Sequence, residues 1–182
     1  MPIKPFSISS KKNSDFYEFE FSIFTLVNNK DQYKELLKSC EKAGFNSRNS
    51  EFGYLDNILS NSHDGFSGLN RALHIAKGKY IILVHQDVRL KFDGIETLKA
   101  KIESIEKRDP KWAILGNAGG NFDLGKKFIR ISDTINTNLK LGSLPAKANS
   151  LDENFLLIKS TTQLAFSEDL KWTEKTISRF LD

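Results

Sequence analysis

The run Tyr80-Ile81-Ile82-Leu83-Val84 is continuously apolar and breaks abruptly into His85-Gln86-Asp87. A polar cluster at the carboxyl end of a buried strand is where open α/β sheets place ligand-binding chemistry, because backbone and side chains there face a crevice and not the core. A carboxylate in that place has a plainer alternative role, capping the next turn. The first strand runs on to Val27, ahead of Asn28-Asn29, and the second ends in Asp56-Asn57, a pair that reads as turn-forming. Asn70 and Arg71 open the helix before the Tyr80 strand, where a helix N-terminus and a guanidinium both attract phosphate; Arg71 reads as well as a solvated helix residue. His63, in a polar loop, and His74, on the helix face away from Leu69, Ala72 and Ala76, read as solvated and stay outside the candidate site.

The elements that must position these groups alternate in type. Tyr17, Phe19, Phe21 and Ile23 alternate with Glu18, Glu20 and Ser22, a strand pattern that runs on to Val27. Asn29 then caps a helix with Tyr33, Leu36, Leu37, Cys40 and Ala43 at helical spacing, stopped by Gly44. The pattern predicts a short second strand over Phe52–Leu55, a loop over 60–66 open to a ligand, a second helix through Leu69 and Ala76 ended by Gly78, and a central parallel strand over Tyr80–Val84. Ile95, Leu98, Ile102 and Ile105 give a third helix closed by Arg108-Asp109-Pro110, and Trp112–Leu115 the next buried strand, followed by Gly119-Gly120, read as a turn in preference to a place where an acceptor or sugar approaches the backbone closely. This β-α-β-α-β order argues for an α/β fold, a mostly parallel sheet with helices on both faces. Beyond Gly125, Phe128–Ile131 and Asn154–Ile158 read as short strands, 132–151 as a long loop and Glu174–Leu181 as a terminal helix. Gly116-x-x-Gly119-Gly120 lacks the spacing of a dinucleotide loop, and the sequence contains no Walker motif.

At 182 residues with 39% hydrophobic content, the chain is expected to be one domain that buries its core without metal or disulfide staples, behind a flexible polar arm over 1–14. The 27 basic and 23 acidic residues give a formal charge of +4, which favours anionic partners such as nucleotides, phosphates or a membrane surface and selects none of them. The single cysteine, Cys40, excludes an intrachain disulfide and a cysteine-rich zinc site, lies on the apolar stripe of its helix and suits a reducing cytoplasm. The sequence shows no secretory leader and no apolar run near the roughly 18 residues of a membrane span. A soluble, cytoplasmic protein is the expectation.

The series from Asn70-Arg71-Ala72 through Ala76-Lys77-Gly78-Lys79-Tyr80-Ile81 to His85-Gln86-Asp87-Val88 resembles the nucleotide-sugar half of family 2 glycosyltransferases with the GT-A fold, in the branch where His-Gln-Asp replaces Asp-x-Asp. The resemblance implies a single GT-A-like domain over 15–182, with 15–125 the nucleotide-sugar half and 126–182 a short acceptor half. Its implied activity is hexose transfer from a nucleotide-diphosphate sugar to a hydroxyl, with inversion. Asp87 would then ligate a divalent cation, Mn²⁺ or Mg²⁺, that neutralises the diphosphate as the glycosidic bond breaks. His85 stands at the first acid of the family motif, as a direct metal ligand, a donor behind the ligand shell or a donor to phosphate. Asp56 stands where the family places an acid that reads the base. Thr25, Val27 and Asn28 match the segment that touches base and ribose, partly through backbone, and Asn70, Arg71 and Gln86 complete the implied nucleotide-sugar contacts.

The family's general base is typically the Asp of a Glu-Asp pair, and Phe166-Ser167-Glu168-Asp169-Leu170-Lys171-Trp172-Thr173-Glu174-Lys175 aligns with that segment, placing Lys175 at the base position. An ammonium cannot take a proton from a hydroxyl unless burial depresses its pKa strongly. Glu174 therefore acts instead, or Asp152 or Glu153 supplies the carboxylate, or the chain binds donor without turnover. The implied partners are a nucleotide-diphosphate sugar and a glycan, lipid-linked or small-molecule hydroxyl acceptor, with no nucleic acid and with peripheral membrane contact left open. One competing reading is a nucleotide-sugar-binding domain that has lost turnover, suggested by Lys175 and the short C-terminal part. Another is a nucleotidyltransferase, disfavoured by the missing Gly-rich phosphate loop after the first strand.

Overall fold

The computed structural model describes residues 17–167. The expected arm over 1–14 and the expected terminal helix, with Glu174 and Lys175, lie outside the described residues. In chain order, β1 (Phe19–Val27), α1 (Lys30–Lys42), β2 (Ser50–Asp56), α2 (Ser67–Ile75), β3 (Gly78–Val84), α3 (Ile95–Arg108) and β4 (Ile114–Gly116) follow the expected alternation. Asn29 caps α1 through its side-chain oxygen, which accepts from the N–H groups of Asp31 and Gln32, and Gly44 follows the helix at φ +95, a conformation that a side chain would strain.

β1 pairs in parallel with β2 on one side and β3 on the other, with Val27 opposite Asp56 and Phe24 opposite Leu83. The alternating pattern at 17–23 predicts one wet face, yet Phe21, Ser22, Ile23, Phe24 and Thr25 are all buried. Ser22 fits because its hydroxyl is fully partnered: it accepts from the N–H groups of Lys77 and Gly78 at 3.1 and 2.7 Å and donates to Glu51 Oε1. Gly78 is consequently the first residue of β3 and not the stop of α2, which ends at Ile75; a Cβ at Gly78 would collide with the Ser22 backbone.

The first sheet has the strand order β2-β1-β3-β9-β4, where β9 is Phe155–Lys159. β9 runs antiparallel to both β3 and β4, so the sheet is mixed where a mostly parallel one was expected. The cause is the route of the chain. β5 (Ala118–Asn121), β6 (Lys126–Ile131), β7 (Leu139–Leu141) and β8 (Ser150–Leu151) form a second, wholly antiparallel sheet in the order β7-β6-β5-β8. The chain returns from β8 at the carboxyl edge of the first sheet, and entry in the parallel sense would need a crossover of a dozen or more residues. Gly119-Gly120, expected as a turn, lies inside β5, where a Cβ on Gly119 would overlap the Ser150 carbonyl oxygen of β8. The stretch 132–151, expected as a loop, contains β7 and β8.

Helices cover both faces of the first sheet, as expected. On one face Leu36 and Cys40 of α1 and Ile95 and Ile102 of α3 pack with Phe21, Ile82, Trp112 and Leu157; on the other Ala72 of α2 and Ala76 pack with Phe24, Ile81, Leu83 and Leu156. Burial pushes the Cys40 thiol up to about 11, in keeping with a core residue and not a reactive one. No helix among the described residues is long and apolar enough to cross a membrane.

At the far side of the sheet, Glu106 accepts from the Lys159 ammonium at 2.6 Å and from the Trp112 indole N–H. The ammonium first, and then the indole, hold the Glu106 carboxyl below its ordinary range. A depressed folded-state value adds stability above the ordinary glutamate pKa and loses it as pH falls through the lowered one. Thermal unfolding followed from neutral to acid pH should therefore show Glu106→Gln destabilised at neutral pH, with the gap to the wild type closing as the medium becomes acid.

Candidate functional site

Parallel pairing of β2, β1 and β3 brings their carboxyl ends to one edge, in the order Asp56, Val27-Asn28, His85-Gln86-Asp87. At the usual strand spacing, Asp56 and the β3 terminus stand about 10 Å apart, with Asn28 between them. β9 starts at the same edge: the His85 N–H donates to the Asn154 carbonyl at 3.1 Å, and Val84 lies opposite Phe155. β4 ends there too, since Gly116 lies opposite Leu156. The β5–β8 pairing, with Gly119 opposite Leu151, continues the β4–β9 ladder outward, so that Asp152–Phe155 oppose only Asn117 and Ala118. This excess bulges the chain between β8 and β9, where Asp152 and Glu153 are exposed and the Asp152 N–H donates to the Ala118 carbonyl.

Gln86 is the joint of the edge. Its Oε1 accepts from the backbone N–H groups of Asn28 at 3.0 Å and Asn29 at 2.9 Å, while its Nε2 donates to Asn28 Oδ1. One side chain thus ties the end of β3 to the end of β1 and to the cap of α1. Arg89 braces the following turn, its guanidinium donating to the carbonyls of Gln86 and Val88. His85 and Asp87 are exposed, and neither side chain is engaged in a hydrogen bond or ion pair within the described residues. Asp56 is also exposed, with Oδ1 accepting from the Ile58 N–H at 3.0 Å, so its turn-forming role is realised while its second oxygen stays open.

Other expected contacts sit differently. Thr25 and Val27 are buried at 1% and 0% exposure, so neither presents a side chain to the edge; the Val27 carbonyl already accepts from the Asn57 N–H at 2.8 Å. Asn70 is occupied at both ends of its amide, donating to the Phe166 carbonyl and accepting from the Phe166 N–H. Arg71 is exposed on α2. The N-terminus of α2 is filled by Asp64, whose carboxylate accepts from the N–H groups of Phe66 and Ser67 and is held below its ordinary pKa first by the Phe66 bond. A phosphate there would meet a carboxylate.

Sequence reasoning missed Asn57 and Arg89. Asn57 is 7% exposed and closes the loop after β2, donating to the His63 carbonyl and accepting from the His63 N–H. Its signal lies in the Asp56-Asn57 pair, in which Asn57 has no expected role beyond forming a turn. Among the described residues no group of three or more His, Cys, Asp or Glu side chains comes together in a way that would hold a metal ion without help from a ligand.

No family model matches the chain. In sequence it is 36% identical over 156 residues to "ATP synthase subunits region ORF 6" of Fuscovulum blasticum, a match covering 83% of this chain and 63% of that protein. In structure it is similar to residues 1–349 of S. aureus TarS, with a TM-score of 0.50 and 18% identity over 87% of this chain and 53% of that one. The chain thus spans less than two thirds of either relative. The second likeness is one of fold.

Replacing Gln86 by Leu should free the Asn28 and Asn29 amides. We expect their hydrogen exchange, read residue by residue by NMR, to quicken well beyond that of the β3 core, with a loss of about 1–3 kcal/mol in unfolding free energy for the hydrogen bonds removed.

Proposed function

We propose that this chain is the donor-binding portion of a glycosyltransferase, one that takes a nucleotide-diphosphate sugar along the edge formed by β2, β1 and β3. The observation that carries the reading is the gathering of exposed Asp56, His85 and Asp87 at that edge, in a fold like that of TarS, a family 2 glycosyltransferase. Asp56 would meet the base, Asn28 the ribose, and the β3 end the diphosphate.

Charge gives the chemistry. Asp56, Asp87, Asp152 and Glu153 make the edge anionic, and a diphosphate would be repelled there without a bridging cation. Asp87 and His85 would hold a divalent metal, with diphosphate oxygens completing its shell; this fits a pair of protein ligands, since Mg²⁺ and its like commonly take one or two side chains plus substrate phosphates. When bound, the metal would neutralise charge on the departing nucleoside diphosphate. Gln86 and Arg89 keep the β3 end in place. A carboxylate would take the proton of the attacking hydroxyl: Asp152 or Glu153 from the bulge before β9, or Glu174. The resemblance to the His-Gln-Asp branch of family 2 glycosyltransferases extends this reading to an inverting hexose transfer, and the single buried Cys40 suits a reducing cytoplasm.

A second reading is supported by Lys175, which stands where the family resemblance asks for a base: a domain that binds donor without turning it over. The two readings separate experimentally.

Titration with UDP-, GDP- and dTDP-sugars, with and without Mn²⁺, should show metal-dependent binding. Asp87→Asn should abolish the Mn²⁺-dependent part with the fold intact, and His85→Ala should weaken it; equal affinity in Asp87→Asn and wild type with metal present would sink the assignment.

Removal of the base should cut turnover by about 10²–10⁴-fold while donor binding survives. Glu174→Gln, Asp152→Asn and Glu153→Gln are the variants to compare. Wild-type turnover in all three would place the base elsewhere, whereas an inactive wild type that gains transfer on Lys175→Asp would favour the binding-domain reading.

A further inference from the structure

The second sheet carries an apolar and basic tip that no contact among the described residues covers. β5 and β6 are joined by a short helical turn, Phe122–Leu124, closed by Gly125 in a left-handed conformation, and this turn leaves Phe122 75% and Leu124 63% exposed. Lys126 and Lys127 follow directly on β6, both exposed. The segment after β7 borders the same tip. Leu141 lies opposite Ile129, and Asn149, further along, accepts from the Phe122 N–H and donates to Asp123. The chain between them carries exposed Leu144 and Lys147. No carboxylate pairs with Lys126, Lys127 or Lys147 among the described residues. From 118 to 151 the sequence holds five basic residues (Lys126, Lys127, Arg130, Lys140, Lys147) and two acidic ones (Asp123, Asp133).

We infer that the Phe122–Leu124 tip, with Lys126, Lys127, Leu144 and Lys147, docks on an anionic membrane surface. Two features favour a bilayer over a protein partner. The apolar groups stand exposed on a hairpin end, which a deformable interface surrounds without needing a pocket of matching shape. The lysines flank them, with long aliphatic stems that keep the ammonium groups at headgroup level while phenyl and leucyl groups enter. The net positive charge of the sheet complements anionic lipid.

The second sheet extends the β4–β9 ladder beyond the carboxyl edge, so the tip projects on the side of that edge, about 20 Å at most from Gly116 to Phe122 if fully extended. Docking would turn the edge toward the bilayer and suits an acceptor hydroxyl carried on a lipid. That orientation rests on the donor-site reading above. The membrane contact does not, because it is measured without a nucleotide.

The test is cosedimentation of the full chain with vesicles of phosphatidylcholine alone and of phosphatidylcholine mixed equally with phosphatidylglycerol, in low and in high salt. The wild type should pellet with the mixed vesicles in low salt and stay in solution with the neutral ones. Each lysine near an anionic surface is worth about a fivefold change in partitioning, so Lys126→Ser with Lys127→Ser should weaken binding about 25-fold. Phe122→Ser with Leu124→Ser should weaken it as well, and retain less binding at high salt than the lysine pair. Ile135→Ser, at the opposite end of β6, and Lys34→Ser, on α1, should bind like wild type. Absence of wild-type binding to mixed vesicles would overturn the inference. So would an equal loss in Lys34→Ser, which would mark non-specific charge attraction, or a tip that instead proves to mediate self-association, seen as a wild-type dimer that Phe122→Ser with Leu124→Ser dissolves.

Discussion

The parallel pairing of β1 between β2 and β3 is the constraint from which the rest of the molecule follows. Parallel strands place all their carboxyl ends at one edge, and they can do so only if crossover helices pack on the faces of the sheet. β1 meets that demand by being buried on both sides: Phe21 and Ile23 go into the layer under α1 and α3, and Phe24 into the layer under α2. Ser22, a polar residue inside this strand, is accommodated because it takes two backbone N–H groups at the start of β3 and a carboxylate from β2. The hydroxyl therefore sets where β3 begins relative to β1. That register in turn decides which residues stand at the opposite end.

At that opposite end Gln86 performs the complementary task. Its side-chain oxygen gathers two backbone donors from the residues after β1, and Asn28 closes the ring with its own amide. Polar groups gathered at strand ends bind a ligand only if those ends are fixed with respect to one another, since groups that drift lose the directionality of their hydrogen bonds. Gln86 is thus read more naturally as the part that positions Asn28 and the neighbouring His85 and Asp87 than as a contact of its own.

The second half of the chain is tied to the first by two devices. β9 enters the first sheet antiparallel and is buried at Leu156, Leu157 and Ile158, so the central layer is incomplete without it. Asn70, on α2, clasps the backbone of Phe166 through both ends of its amide. The outward sheet is stitched by Arg130, which donates to the carbonyls of Ile129, Leu141 and Gly142 and so holds the segment after β7 against β6. Charge divides along the same line: the edge is acidic, the outward sheet basic. An anionic ligand approaching the edge therefore needs a cation of its own, whereas an anionic surface approaching the outward sheet does not.

The apolar run Tyr80–Val84, the capped and glycine-stopped α1 and the periodicity of α2 and α3 were legible from residue order, because local pattern and cap chemistry are properties of neighbours in the chain. So was the position of His85-Gln86-Asp87 at a strand end. The alternation at 17–23 misled, since a serine counts as polar in a pattern but can be buried when distant backbone groups satisfy it. The Gly119-Gly120 pair misled for a related reason: what these glycines accommodate is the close approach of β8, some thirty residues away. The sequence by itself determined the alternating elements, the two-sided burial of β3 and the chemical types available at the strand ends. Only the tertiary structure decided that β9 runs antiparallel, that Asp152 is bonded to Ala118 of β5 ahead of it, that Thr25 is withdrawn from the edge and that Asn70 is already engaged. Each of these depends on pairing between residues far apart in the chain, which is set by the free energy of burying whole faces and leaves little trace in any local stretch of sequence.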